Sequence, residues 1–299
     1  MYSIHILMKQ IIDYAGLFPP AALAMQPAVA SYAEYRQQED AWALGRFILP
    51  VSRLSEFEGA SRDLLPRDAS VDPWHLSVLG TADLKSDLAA IQAFNRRHTR
   101  ADQGAAQIDT IELKAASAEE VLSAMQLIGG DFTAYFEIPI ASDPQSLINA
   151  IGRVGGCAKV RTGGTRQEMF PDPGDLIRFI DACVTSGVPF KATAGLHHPL
   201  RSVYRLTYDH DSATGTMYGF LNVFLSTAFV AAGMDVDGAM QVLLEESAEA
   251  FRFEDSGILW RNHRLDTDVL SQVRQQFAIS FGSCSFQEPI DELKAMQLV

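Results

Sequence analysis

The segment CAKVRTGGTRQEMFPDPGDLIRFIDACVTSGVPFKATAG (157–195) decides the fold, because it holds a complete strand–helix–strand unit. CAKVRTGG (157–164) and VPFKATAG (188–195) are short, mainly apolar runs closed by glycine, as buried strands are. Between them, Asp172 and Pro173 have the types favoured at a helix N-cap and first turn. Leu176, Ile177, Phe179, Ile180, Cys183 and Val184 recur at helical spacing, and Gly187 stands where the helix should end. A strand carried back to its own sheet by one helix implies a parallel pair with a right-handed crossover.

The same grammar extends in both directions. LGRFILPV (44–51), WHLSVLG (74–80), IDTIELKA (108–115), FTAYFEIPI (132–140) and MYGFLNVF (217–224) read as strands, with an eighth expected in YAGLFPPA (14–21). Ser117 and Glu120 form a capping-box pattern, and Asp143 with Pro144 repeats the cap-and-proline device. Eight strands with intervening helices in 299 residues predict an α/β fold, a (β/α)8 TIM-type barrel. The chain reads as one barrel domain over 1–299 with N-terminal and C-terminal helical additions. The C-terminal one covers about 236–299, where AMQVLLEESAEAF and DTDVLSQVRQQF have helical period. An open doubly wound sheet is the competitor, but YAGLFPPAAL is not the Gly-rich phosphate turn that usually follows its first strand.

Composition narrows the function. With 47% hydrophobic and 20% charged residues the chain is an ordinary globular sequence. A net charge of −13 argues against nucleic-acid partners and anionic membrane surfaces. No apolar run is long enough to span a bilayer, and no basic region precedes an apolar one at the N-terminus. Three distant cysteines without CxxC or zinc spacing suit a reducing compartment, so the expected location is cytoplasmic. No cofactor is called for.

Along each strand the apolar residues mark the side that packs on helices, and the remainder face the barrel axis. By that rule His75 and Ser77, Glu112 and Lys114, Tyr135 and Glu137, Lys159 and Arg161, and Lys191 and Thr193 point inward. In MYGFLNVF the inward set includes Tyr218, Phe220 and Asn222. The charged members sit near the C-terminal ends of their strands, where barrel active sites are built. A structural ion network is the plainer reading, but buried ion pairs are an inefficient source of stability.

Clustered lysines suggest amine chemistry. A lysine beside other cations in a dry pocket has its pKa depressed, and the neutral amine can form a Schiff base with a carbonyl. Lys159 is the candidate nucleophile. Lys191, Glu137 and Glu112 would tune it and move protons, and Arg161 would grip a carboxylate or phosphate. Lys114, Thr193, His197, His198 and Asn222 complete the candidate substrate contacts. The expected partner is a small anionic carbonyl compound, and barrels of this kind often form homo-oligomers.

AKVRTGG followed 32 residues after Lys159 by Lys191 in PFKATAG resembles the paired-lysine arrangement of the deoxyribose-phosphate aldolase family. The resemblance covers about 40 residues. It implies a class I aldolase-like lyase in which Lys159 matches the Schiff-base lysine and Lys191 the lysine that lowers its pKa. Arg161 stands where that family has a small residue, and LHHP (196–199) where its Gly-rich phosphate grip continues. The resemblance therefore does not extend to a sugar phosphate. The strings DYAGLFPPA, FKATAGLHHP and GFLNVF also resemble signatures of an uncharacterised bacterial family, which implies no activity.

Two other readings use the same residues. A metal-assisted lyase, isomerase or hydrolase would draw ligands from Glu112, Glu137 and His197 or His198. A non-catalytic small-molecule binder would keep the charged pocket without needing a depressed lysine. Cys157 reads as a small buried hydrophobe.

Overall fold

The computed structural model describes residues 1–68 and 70–299. Helix α1 (Tyr2–Met8) leads into β1 (Ile12–Tyr14), α2 (Met25–Tyr35) into β2 (Leu44–Pro50), and α3 (Leu54–Ser61) into β3 (Trp74–Leu79). Next come α4 (Leu84–His98), β4 (Ala106–Lys114), α5 (Ala118–Ile128), β5 (Thr133–Glu137), α6 (Gln145–Arg153) and β6 (Cys157–Arg161). The opening segment closes with α7 (Pro173–Ser186) and β7 (Phe190–Thr193). A hairpin, β8 (Ser202–Arg205) with β9 (Thr214–Met217), rises from the C-terminal end of β7 and leads to α8 (Phe220–Ala231) and α9 (Val236–Leu243). Then β10 (Phe251–Glu254), β11 (Gly257–Trp260) and β12 (His263–Asp266) make a small antiparallel sheet. The last elements are α10 (Thr267–Gln276), β13 (Ala278–Ser283) and α11 (Gln287–Ala295).

Eight parallel strands close in the order β1-β13-β7-β6-β5-β4-β3-β2, the expected (β/α)8 barrel. The predicted helix signals work as chemistry requires. The Asp172 carboxylate accepts the Gly174 N–H at 2.8 Å with Pro173 in the first turn, and Gly187 ends α7 in the left-handed region (φ 67°). Ser117 Oγ accepts the Glu120 N–H at 3.2 Å while Glu120 reaches back to the Ala116 N–H at 2.6 Å. Asp143 accepts the Gln145 N–H at 3.0 Å, and α6 starts at Gln145 rather than at Pro144.

Three expectations are corrected at the ends of the chain. The first strand is Ile12–Tyr14 rather than within 14–21, where the chain turns. MYGFLNVF is not a barrel strand: Met217 ends the hairpin, and Phe220 begins α8, whose residues 220–230 are all buried. A run that is apolar on every side has no period to distinguish strand from helix, and burial all round lets it fold as a core helix. The eighth strand is instead β13, inside the segment 236–299 read as helical decoration. Four of the six residues of AISFGS are small or polar (Ala278, Ser280, Gly282 and Ser283), so its strand signal is weak. Its Phe281 lies 5.1 Å from the Phe220 ring in a stacked pair and 5.9 Å from Phe224 edge-on, which seats α8 against the barrel wall. No helix among the described residues is long and apolar enough to cross a membrane.

Candidate functional site

Parallel pairing sets Lys114 beside Glu137, Glu137 beside Lys159, Lys159 beside Lys191 and Lys191 beside Ser280, all on the inner face. The strand alternation read from sequence thus becomes a row of charges crossing β4 to β7. Glu112 is the hub of the cluster. Lys159 Nζ lies 2.8 Å from Glu112 Oε2, and Lys191 Nζ lies 2.7 Å from Glu112 Oε1. Lys159 also reaches Glu137 Oε2 at 2.9 Å, and Lys191 reaches Asp13 Oδ2 at 2.6 Å. Ser77 Oγ donates to Glu112 at 2.6 Å, and Ser280 Oγ donates to Asp13 at 2.8 Å. The result is an alternating chain, Asp13–Lys191–Glu112–Lys159–Glu137, that leads outward to Arg161.

These neighbours reverse one expectation. Burial by itself would push the Lys159 amine down, but Glu112 and Glu137 outweigh it and hold the amine above its usual value. The predicted depression among cations fails because a carboxylate stands beside Lys159 on two sides. Burial would likewise favour a neutral Glu112, yet Lys159 and Lys191 keep its carboxyl well below the usual range. Glu137 is lowered in the same way, by Lys159 and then Arg161 and Lys114.

Solvent reaches the outer end of this chain. Arg161 has a 45% exposed side chain, with Nε 3.8 Å from Glu137 Oε1 and one terminal nitrogen donating to the Gly163 carbonyl at 3.4 Å. Its other terminal nitrogen is left without a protein partner among the described residues. Lys114 is exposed at the end of β4, and Thr193 is half-buried at the end of β7. The loops above β6 and β7 meet backbone to backbone: a Cβ on Gly195 (φ 77°) would lie 2.8 Å from Gly163 Cα. Thr162 Oγ1 donates to the Ala194 carbonyl at 2.6 Å across the same contact. That close approach and the positive φ account for glycine at 195, while a Cβ on Gly163 would lie 2.4 Å from the Phe170 ring.

His197 and His198 do not join Glu112 or Glu137. His197 Nδ1 faces Glu288 at 3.4 Å and Cys284 Sγ at 3.9 Å. His198 Nδ1 bonds Glu292 at 2.6 Å while its ring stacks on Tyr204 at 3.5 Å. The metal reading built on Glu112 and Glu137 is therefore corrected, since both carboxylates are taken up by lysines. His198, Glu288 and Glu292 bring one donor atom each within 4.8 Å of one another. His198 Nδ1 is bonded to Glu292 and Glu288 accepts from Tyr208 at 3.0 Å, so these donors belong to a hydrogen-bonded cluster separate from Glu112 and Glu137. His75 lies at the other end of the barrel interior, bonding Asp109 at 2.9 Å beside Arg46.

Asn222 is removed from the site. It stands on α8, accepts the Arg201 N–H at 2.8 Å and donates to the Val242 and Glu245 carbonyls at 2.8 Å each. Asp13, Ser77 and Ser280 enter the site instead. Ser77 was legible as an inward position. For Asp13 the sequence allows two roles, reaching the pocket from DYAGLFPP or capping a turn, and the structure puts it in β1 on Lys191. Ser280 required the unrecognised eighth strand. Chemically, the cluster offers an amine nucleophile with a carboxylate in contact to take its proton, and an exposed guanidinium to receive an anion. The chain matches no known family model, no curated protein and no solved structure.

Proposed function

We propose that the protein is a class I aldolase-like lyase that acts on a small anionic carbonyl compound through Lys159. The observation that carries this reading is the bridging carboxylate of Glu112, which holds Lys159 on one oxygen and Lys191 on the other. Lys159 is the outer amine of the pair, and its second partner Glu137, 15% exposed, stands beside the half-exposed Arg161. In the first step Glu137 takes a proton from the Lys159 ammonium. The amine then adds to the substrate carbonyl, and loss of water leaves an iminium. Glu137 gives its proton to that departing hydroxyl, then takes the proton of the substrate's β-hydroxyl as the C–C bond breaks. A carbonyl fragment leaves, and the bonding pair enters the iminium to form an enamine. Glu137 returns the proton to the enamine carbon, and water hydrolyses the resulting iminium to release the second carbonyl product and restore Lys159. Arg161 holds the substrate anion by its unpartnered terminal nitrogen. Lys191, tied to Asp13 and Glu112, keeps positive charge behind the reacting nitrogen.

Borohydride reduction with a panel of small 2-oxo acids and aldehydes tests the reading, with peptide mapping as the readout. The expected adduct is on Lys159, is absent from Lys159→Met, and forms faster as pH rises because the resting amine is protonated. An adduct confined to other lysines, or none with a compound shown to bind by thermal shift, would refute the mechanism.

A further inference from the structure

A second cluster of reactive groups lies at the same face of the barrel and takes no part in the lysine centre. Cys284 follows β13 at its C-terminal end, where its Sγ sits 3.9 Å from His197 Nδ1 and 3.5 Å from the Tyr208 hydroxyl. His197 and Tyr208 are joined in turn to Glu288, at 3.4 Å and 3.0 Å. Beside them is a cavity of about 230 Å³ walled by His197, His198, Tyr208 and Glu288 with the apolar Leu206 and Met217. We propose that Cys284, paired with His197, is a second nucleophile of this protein and adds reversibly to small aldehydes that enter this cavity.

The chemistry follows from what surrounds the sulfur. A thiol becomes nucleophilic as its thiolate, which a neighbouring imidazolium stabilises. Burial works against the charge, but His197 and then Tyr208 outweigh it and hold the Cys284 thiol below its usual value. His197 is itself held up to about 9 by Cys284 and Glu288 despite burial. Tyr14 and Tyr35 also face the sulfur, and His198 faces Glu288. The other two cysteines are the opposite case. Burial alone pushes Cys157 up to about 11, and Cys183 is raised within the packed face of α7.

Two donors beside one sulfur point to a carbonyl electrophile. As the S–C bond forms, the carbonyl π pair moves to oxygen, and the His197 N–H or Tyr208 O–H lies near enough to meet that developing charge. Proton transfer from His197 to the oxygen completes a hemithioacetal, and reversal regenerates aldehyde, thiolate and imidazolium. Nothing is oxidised. Cys284 is only 5% exposed, but Tyr208, whose hydroxyl lies 3.5 Å from the sulfur, is 54% exposed on the connection between β8 and β9. The Tyr208 side chain, which lines the cavity, has to move aside for an aldehyde to reach the sulfur.

Alkylation of the native full-length chain by iodoacetamide, mapped by mass spectrometry, is the test. At pH 7, Cys284 should be labelled on the order of tenfold faster than an ordinary thiol, because thiolate fraction sets the rate, while Cys157 and Cys183 stay unlabelled. Propanal should slow labelling of Cys284 in a concentration-dependent, washable manner, and should do so equally in Lys159→Met. His197→Asn should move the pH profile of labelling upward to that of an ordinary thiol. Tyr208→Phe, a milder change at an exposed residue, should raise the pH needed by a smaller amount. Labelling of Cys284 only after denaturation, no protection by propanal, or pH profiles unchanged in both variants would overturn the proposal.

Discussion

At the scale of single residues, the lysine centre is governed by the imbalance that any one deletion would create. Glu112 is 3% exposed and carries two ammonium groups on its two oxygens. Glu112→Gln keeps the shape but removes the charge, which leaves Lys159 with Glu137 alone and Lys191 with Asp13 alone. Losing one partner from a buried ion network costs about 3–5 kcal/mol, because desolvated charge is left under-compensated. Guanidinium unfolding of Glu112→Gln should show a loss of that order. A loss below about 1 kcal/mol would mean that Lys159 and Lys191 find water or other partners. Ser77→Ala deletes one hydrogen bond to the same carboxylate and should cost only about 1 kcal/mol by the same measurement.

At the scale of elements, the seam between β13 and α8 holds the last strand in the barrel. Phe281 is fully buried between Phe220 and Phe224, so truncating it opens a cavity that the rigid strand cannot collapse to fill. Phe281→Ala should lower stability by about 3–5 kcal/mol, read as a fall in the denaturation midpoint with an unchanged denaturant slope. A change in the slope would instead indicate that β13 detaches before the barrel unfolds. The same seam explains why the two elements were misread together. β13 is short and poor in large apolar residues, and its partner α8 is apolar on all sides. Neither has a pattern in its own sequence, and each is specified by the other. The strands β3 to β7 differ because they alternate polar and apolar residues where their charges lie, with β4 irregular only at Asp109 and Thr110, so their inward faces were legible one by one.

At the scale of the whole molecule, the buried carboxylates set how stability depends on pH. Glu112, Glu137 and Asp109 all have folded-state values below the ordinary range, since the cations beside them outweigh burial. In the unfolded chain such groups titrate near pH 4, so the folded state holds fewer protons in that region. Their contribution is therefore complete above about pH 5 and is lost as pH falls through 4 and below. The urea midpoint should rise slightly as pH falls from about 7 to 6, because His197 is held charged in the fold while its unfolded counterpart still gains its proton. It should then fall steeply below about pH 5, and Glu112→Gln should soften the fall. A midpoint that holds steady down to pH 3 would contradict this account.

The sequence by itself determined the parallel barrel, the caps that start and end its central helices, and the inward direction of Glu112, Glu137, Lys159, Arg161 and Lys191. Those features depend on residues two to four apart, and strand and helix periods act at that range. Only the tertiary structure decided which charges meet. Lys191 finds Asp13 across 178 positions of chain, and His197 finds Cys284 across 87. Closure of β1 on β13 brings the two ends of the chain into one wall, and with it the carboxylate that ties down Lys191 and the thiol that faces His197. Lys159 became an ammonium held by carboxylates, not an amine depressed by cations, because pKa follows the neighbours in space and those neighbours, Glu112 and Glu137, come from two other strands, β4 and β5.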